Sequence, residues 1–344
     1  MEVRRLINDT FKIALSLFLG GAILFWMYRG FDFKQVEQVM LHEMNWTWML
    51  LSFPFGIMAQ VFRGWRWKQS LEPMGEDPRT STCIHAIFIS YATSLLIPRI
   101  GEFARCAILR RYDKTDFPKA LGTVVTERAI DSLLVLVIAG ITLLSQLGVF
   151  TTFFEQTGTS IDAIVTRFST TGYIVTGVCA AAVAILLHLL LKRMAIYNRV
   201  KDTVRGIWLG VNSIRRVRNK WRFVFFTLAI WASYFLHYYL TFFCFKSTAS
   251  LGMACAMVTF VVGSMAVVVP TPNGAGPWHF AVKTMLILYA VDSCDALNFV
   301  LIVHSVQTLL VILLGIYAWV ALAFTPQRIT SAENETQYST KHQL

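Results

Sequence analysis

Long apolar runs separated by short polar segments dominate the chain. Residues 13–28, 46–62, 84–97, 133–149, 171–191, 223–245, 251–269, 278–291 and 297–324 are apolar nearly throughout. Several approach or exceed the roughly 20 residues a helix needs to cross a bilayer. The pattern predicts an all-α integral membrane protein, a polytopic helical bundle forming one transmembrane domain over residues 1–325. Residues 326–344 are polar without periodicity and are expected to form a cytoplasmic tail. Composition agrees with this class, since 56% of the 344 residues are hydrophobic and only 15% are charged. A soluble chain of this length needs more polar surface.

Charge changes the picture. The net charge is +11, and it is unevenly placed. Residues 1–12 hold three Lys or Arg, 63–80 hold four, 99–119 hold six and 192–222 hold ten. The remaining connections hold two at most. Lys and Arg accumulate on the cytoplasmic side of a membrane. Segments 63–80 and 110–119 should therefore share a side, yet one apolar run lies between them. The conflict disappears if residues 81–112 enter, turn at Pro98-Arg99-Ile100-Gly101-Glu102 and return. Pro and Gly are expected where a helix breaks. A second pair of runs flanks "PTPNGAGPWHF" at 270–280. It suggests a hairpin over 251–291 entering from the opposite side.

The expected architecture is thus about six full spans plus two re-entrant helical hairpins of opposite orientation, with both termini cytoplasmic in the cell membrane. The hairpin tips would meet near the bilayer midplane. Broken helices in corresponding halves point to a transporter's binding site. Eight or nine ordinary spans with Pro kinks is the competing reading.

The basic N-terminus resembles a signal peptide, but 22–28 offers no small-residue cleavage site and reads as a retained anchor. Six scattered cysteines show no metal or redox spacing. In 192–222, apolar residues at three- and four-residue steps alternate with arginines. That segment reads either as an amphipathic helix on anionic headgroups or as a solvated topogenic loop.

Charges at hydrocarbon depth cost at least ~2.5–3.5 kcal/mol each and are functional candidates by default. The first hairpin supplies Arg99, Glu102 and Arg105. The next helix supplies Glu127, Arg128 and Asp131, with Glu127 and Asp131 on one face. The second hairpin supplies His279 and Lys283, four apart. Glu102 is expected to pair with Arg128 or Arg105, and Glu127 or Asp131 with Arg99. Such pairs can also be purely structural, holding the hairpin to its neighbour. His85, His188, His237 and His304 lie alone in apolar runs and read as satisfied core or helix-end residues. Arginine suits bidentate phosphate contact. Gly274 and Gly276 would add bare backbone amides. Together these groups describe a cradle for an anionic headgroup.

Three elements, "PRIGEFAR", "LGTVVTERAIDS" and "VPTPNGAGPWHF", resemble the flippase-like membrane family, the transmembrane domain of lysylphosphatidylglycerol synthases. The likeness covers about residues 10–325. Its G-E-x-x-R element is Gly101, Glu102 and Arg105. Its E-R-x-x-D element is Glu127, Arg128 and Asp131. Its Pro/Gly element is Pro270, Pro272, Gly274 and Gly276. Asn273 stands where the family often has glycine, and His279 stands near the place of an acid. The resemblance implies translocation of an anionic or modified phospholipid, or of a polyprenyl-phosphate-linked lipid, between leaflets.

Two other readings stay open. One is a membrane-embedded transferase acting on a lipid-linked donor, with Glu102, Glu127 or Asp131 as general base. The other is a scaffold binding anionic lipid through 192–222. No nucleotide motif, metal motif or cofactor motif is present. Membrane lipids are the expected partners, a homo-oligomer is compatible with the pattern, and nothing points to nucleic acid.

Overall fold

The computed structural model describes residues 20–29, 33–146, 217–269 and 271–328. Every regular element among them is helical. They are α1 (20–28), α2 (Phe33–Gln38), α3 (Trp46–Leu71), α4 (Thr80–Ser94), α5 (Ile100–Asp113), α6 (Phe117–Ser145), α7 (Lys220–Tyr239), α8 (Met253–Ala266), α9 (Pro277–Leu288) and α10 (Ser293–Ala323). The apolar run at 171–191, most of the basic segment 192–222 and the tail beyond 328 lie outside the described residues.

Among the described residues, two elements have the length and apolarity to cross a membrane: the 25-residue stretch Lys220–Cys244, which adds a 3-10 turn to α7, and the 31-residue α10. They leave apolar side chains outward. On α7 these are Val224, Phe225 and Leu228, and on α10 Leu309, Leu313, Ile316, Tyr317, Trp319 and Val320. On α6, Leu133, Leu136, Val137, Ile141 and Leu144 do the same. Surface of this kind, spread along three helices, is what lipid tails cover and water does not. The interior is aromatic. Phe299 meets Phe242, Phe245 and Tyr238 edge-on with centroids 5.2–6.3 Å apart, a favoured ring geometry.

Helices α4 and α5 pack along each other as a hairpin. They have 15 and 14 residues, so each arm is about 21–22 Å long. That is short of the ~30 Å hydrocarbon core. Ion pairs close the hairpin's open end. Arg79 Nε donates to Asp113 Oδ1 at 2.6 Å, and Lys119 Nζ meets Glu76 Oε1 at 2.7 Å. Arg328, five residues past α10, joins them, its backbone N–H donating to the Tyr112 carbonyl and its Nη1 to the Asp77 carbonyl. The structure therefore brings 76–79 and 112–119 to one end of the molecule.

Helices α8 and α9, of 14 and 12 residues, make the second hairpin. Its open end, with Leu251, Tyr289 and Val291, shares an apolar cluster with Ala296 and Phe299 near the start of α10. The first hairpin opens at the far end of the same helix. At 31 residues, α10 separates the two openings by about 45 Å. The two hairpins thus open toward opposite ends of α10. Their closed ends both reach the interior of α10: Ala92 packs on Gly315, and Asn273 bonds Thr308.

Three boundaries differ from the sequence expectation, each for a physical reason. The first break occupies 95–99 and not 98–102. Pro98 disfavours helix at the residue before it, Arg99 takes a left-handed φ of 65°, and the chain has turned by Ile100. Gly101 and Glu102 are therefore already helical. Next, α3 continues nine residues past its apolar run, to Leu71. Arg63 and Arg66 are buried within it and do not belong to a loop, so the basic count for 63–80 was too high. Third, α6 begins at Phe117, well before the apolar run at 133, because its charges find partners inside the protein.

Candidate functional site

Helices α3, α5 and α6 meet at a cluster of seven charges. Glu127 and Asp131 lie one turn apart on α6, and Arg63 and Arg66 face them from α3. Asp131 accepts from Arg63 Nη1 at 2.6 Å and from Arg66 Nη1 at 2.8 Å, with Arg128 Nη2 at 3.1 Å. Glu127 Oε2 accepts from Arg105 Nη1 at 2.9 Å, and its other oxygen lies 3.6 Å from Arg66 Nε. Arg66 so bridges both carboxylates. It also donates to Thr227 Oγ1 on α7 at 3.3 Å.

Aromatic rings line the cluster. The Arg105 guanidinium sits 4.6 Å from the Trp67 ring centroid, a cation–π contact. The indole is fixed by its Nε1–H, which donates to Thr123 Oγ1 at 3.0 Å. Arg63 lies 5.9 Å from the ring of Tyr234, whose hydroxyl donates to Tyr91 at 2.8 Å.

The cluster is graded from sealed to open. Glu127 and Arg66 are fully buried, whereas Arg128 and Glu102 keep 40% and 33% of their side-chain surface. These last two face each other at 3.8 Å beside the first break. Arg99, at the break itself, is exposed and makes no ion pair among the described residues. Four arginines (63, 66, 105, 128) stand against three carboxylates (102, 127, 131), a surplus of one positive charge. Arg105 Nε and Nη2 and Arg66 Nη2 are buried without hydrogen-bond partners. Buried donors normally find one.

Gly101 has a different role from the one its motif suggests. It lies where α5 crosses α4, and a Cβ there would overlap the Ser90 carbonyl oxygen and Ser94 Oγ. It is a packing residue, of the small type that lets helices approach closely.

The second tip is uncharged. Asn273 takes φ 52°, and Gly274 and Gly276 take φ 71° and 91°. The Asn273 amide donates to Thr308 Oγ1 at 2.8 Å, and its carbonyl oxygen lies 3.2 Å from His304 Nε2. His279 is buried, with its ring centroid 4.4 Å from that of His304. A Cβ on Gly276 would meet the Gly20 carbonyl and Ile23 of α1. Lys283 is half-buried one turn further along α9.

The sequence-derived candidates thus fall into two groups. Glu102, Arg105, Glu127, Arg128 and Asp131 come together around the first break. Asn273, Gly274, Gly276 and His279 form the second tip, and no hydrogen bond or ion pair among the described residues joins the two groups. The expected Glu102–Arg128 pair is present, while Arg63, Arg66 and Arg105 take the carboxylates assigned to Arg99. His237 behaves as a satisfied core residue, with Nδ1 2.8 Å from the Ser52 carbonyl. His304 instead joins the second tip. Arg63 and Arg66 were the residues that sequence reasoning missed. Their signal was an R-x-x-R spacing continuing the helical period of an apolar run, which puts both on one face.

The model of the lysylphosphatidylglycerol synthase TM region matches residues 13–315. A curated relative, glycosyltransferase AglD of Haloferax volcanii, is 26% identical over 156 residues, covering 43% of this chain. The match spans only 25% of that protein's length. No solved structure matches.

Proposed function

The chain belongs to the family of the lysylphosphatidylglycerol synthase TM region, and from that premise we propose that it is a lipid transporter of the cell membrane. It carries an anionic or modified phospholipid, or a polyprenyl-phosphate-linked lipid, between leaflets. The supporting observation is the half-open edge of a buried charge cluster with a cationic surplus, at the tip of a hairpin too short to span. In this reading both hairpins dip into the bilayer from opposite faces. The base at 76–79 and 113–119 is cytoplasmic, as is the end of α10. Arg128 and Arg99 meet the headgroup phosphate, while Arg63, Arg66, Arg105, Glu127 and Asp131 hold the hairpin against α3 and α6. Gly274 and Gly276 keep the second tip narrow.

The test is exchange of labelled lipids in liposomes holding purified protein. Wild type should equilibrate labelled phosphatidylglycerol or a polyprenyl phosphate, and Arg128→Gln should slow this about tenfold, the effect of one charge-assisted hydrogen bond. Its unfolding midpoint should stay near wild type, since Arg128 is 40% exposed. Equal rates in protein-containing and empty liposomes, across a broad lipid panel, would sink the reading.

The topology has its own test. An impermeant maleimide should label Lys114→Cys only from the cytoplasmic face and Ser293→Cys only from the other. Labelling of both from one face is incompatible with opposed hairpins.

The name of the AglD relative favours a second reading, a transferase acting on a lipid-linked donor. The geometry supports it less well. Glu127 and Asp131 are already engaged by two and three guanidinium groups, which leaves Glu102 as the accessible base. Glu102→Gln should abolish product formation if that reading holds.

A further inference from the structure

We propose that His279 and His304 form a proton-binding site that governs the second tip, so that lipid passage is coupled to proton uptake. The inference rests on the transport reading above and concerns a site apart from the arginine cluster.

The chemistry follows from which atoms face each other. His279 is the third residue of α9, and its Nδ1 accepts from the backbone N–H of Gly276, the cap residue, at 3.4 Å. This is one half of a capping box, in which a third-position side chain reaches back to the cap. An acceptor at Nδ1 requires that nitrogen to be unprotonated. A proton arriving there turns the acceptor into a donor, and two N–H groups then point at each other. The new charge also sits at the positive end of the α9 dipole. The cap therefore breaks on protonation.

Few other bonds hold this tip. Gly274 N donates to Thr271 O at 3.1 Å and Ala275 N to Pro272 O at 2.9 Å. The Asn273 side chain is tied to Thr308, and His304 Nε2 touches the Asn273 carbonyl. Three positive-φ conformations within four residues, at 273, 274 and 276, are kept in place by this short set of contacts. Such strained segments persist only while their surroundings fix them.

The neighbours decide how many protons the site holds. His304 on α10 packs against His279 at a tilt, with centroids 4.4 Å apart. Tyr28 of α1 meets the His279 ring edge-on at 6.2 Å. Lys283 follows one turn later on α9, and Tyr238 of α7 reaches only the intervening Trp278. No carboxylate among the described residues pairs with either ring. Two imidazolium ions at this spacing repel each other without a counter-ion, so the pair takes one proton. Its charge is shared between a ring that caps α9 and a ring that holds Asn273.

Trp278 reports on the site directly. Its ring centroid is 5.6 Å from His279 and 5.2 Å from His304. An imidazolium within reach of an indole quenches its emission. The experiment takes full-length protein in phosphatidylglycerol/phosphatidylcholine nanodiscs and subtracts the emission of Trp278→Phe. The difference signal should fall as pH is lowered from about 8 toward about 3, since burial without a counter-ion disfavours the charged ring. In liposomes of the same lipids, exchange of labelled phosphatidylglycerol should change at least about fivefold over that range, the lower end of ordinary site coupling. His279→Gln keeps an acceptor oxygen for Gly276 and cannot take the proton. It should fold and lose the pH dependence of exchange.

A Trp278 signal that is flat with pH, alongside normal lipid exchange, overturns the proton site and leaves transport standing. A Trp278 signal that titrates while no lipid moves at any pH overturns the coupling together with the transport reading. Undiminished pH dependence of exchange in His279→Gln also overturns the inference.

Discussion

Asp131→Ala should be among the most damaging single substitutions in this chain. The carboxylate accepts from Arg63 and Arg66 and has Arg128 at 3.1 Å. Two of those arginines are buried, with Arg66 wholly inaccessible. Removing the carboxylate leaves Arg63 without its partner and Arg66 with Glu127 alone, where water cannot make good the loss. Breaking a buried pair by deleting one partner costs about 3–5 kcal/mol. A loss of that size approaches the entire stability of many proteins. Detergent-purified Asp131→Ala should therefore unfold at a much lower temperature than wild type, read as the midpoint of thermal aggregation. Arg128→Gln is the internal comparison, because it removes a half-exposed charge from the same cluster and should shift the midpoint little. A near-wild-type midpoint for Asp131→Ala would mean that Arg63 and Arg66 reach solvent, and the cluster as drawn would be wrong.

The second large effect is expected at Gly101. Even an alanine there would drive its Cβ into the Ser90 carbonyl oxygen and Ser94 Oγ. Neither obstacle can step aside alone. The Ser90 carbonyl belongs to the α4 backbone and already accepts from Ser94 Oγ at 2.9 Å. The arms of the hairpin must separate along their length. Overpacking of a tight contact costs about 1–3 kcal/mol and more where backbone is the obstacle. Gly140→Ala is the control, since nothing lies within 4 Å of a Cβ at that position and alanine is the better helix former by roughly 1 kcal/mol. Opposite shifts in the unfolding midpoint are expected, downward for Gly101→Ala and slightly upward for Gly140→Ala. Tolerance of alanine at 101 would place α4 and α5 further apart than described.

Much of the architecture was legible in the sequence because hydrocarbon imposes simple rules. Apolar runs gave the helices to within a few residues at α4, α8, α9 and α10. The imbalance of Lys and Arg pointed to a turn near Pro98, and the helix break at 95–99 lies beside it. What was hidden was the partnership of charges far apart in sequence. Arg63 and Arg66 followed an apolar run and were taken for its cytoplasmic flank. Only the packing of α3 beside α6 shows that they answer Asp131, 68 and 65 residues away. Gly101 was misread for a related reason. A glycine in a motif next to Glu102 and Arg105 suggests a ligand, whereas its need for the absence of a side chain arises from α4. The role of His304 depended on a tip 31 residues distant.

The end of α10 is fastened by Arg328 to the base of the first hairpin, and further along the same helix Thr308 and His304 grip the second tip. A helix resists stretching, so this one acts as a push rod between the two. Tilting the first hairpin at its ionic hinge must shift or release the turn at Asn273. In the transport reading, this helix carries an event at one face of the protein to the loop at the other.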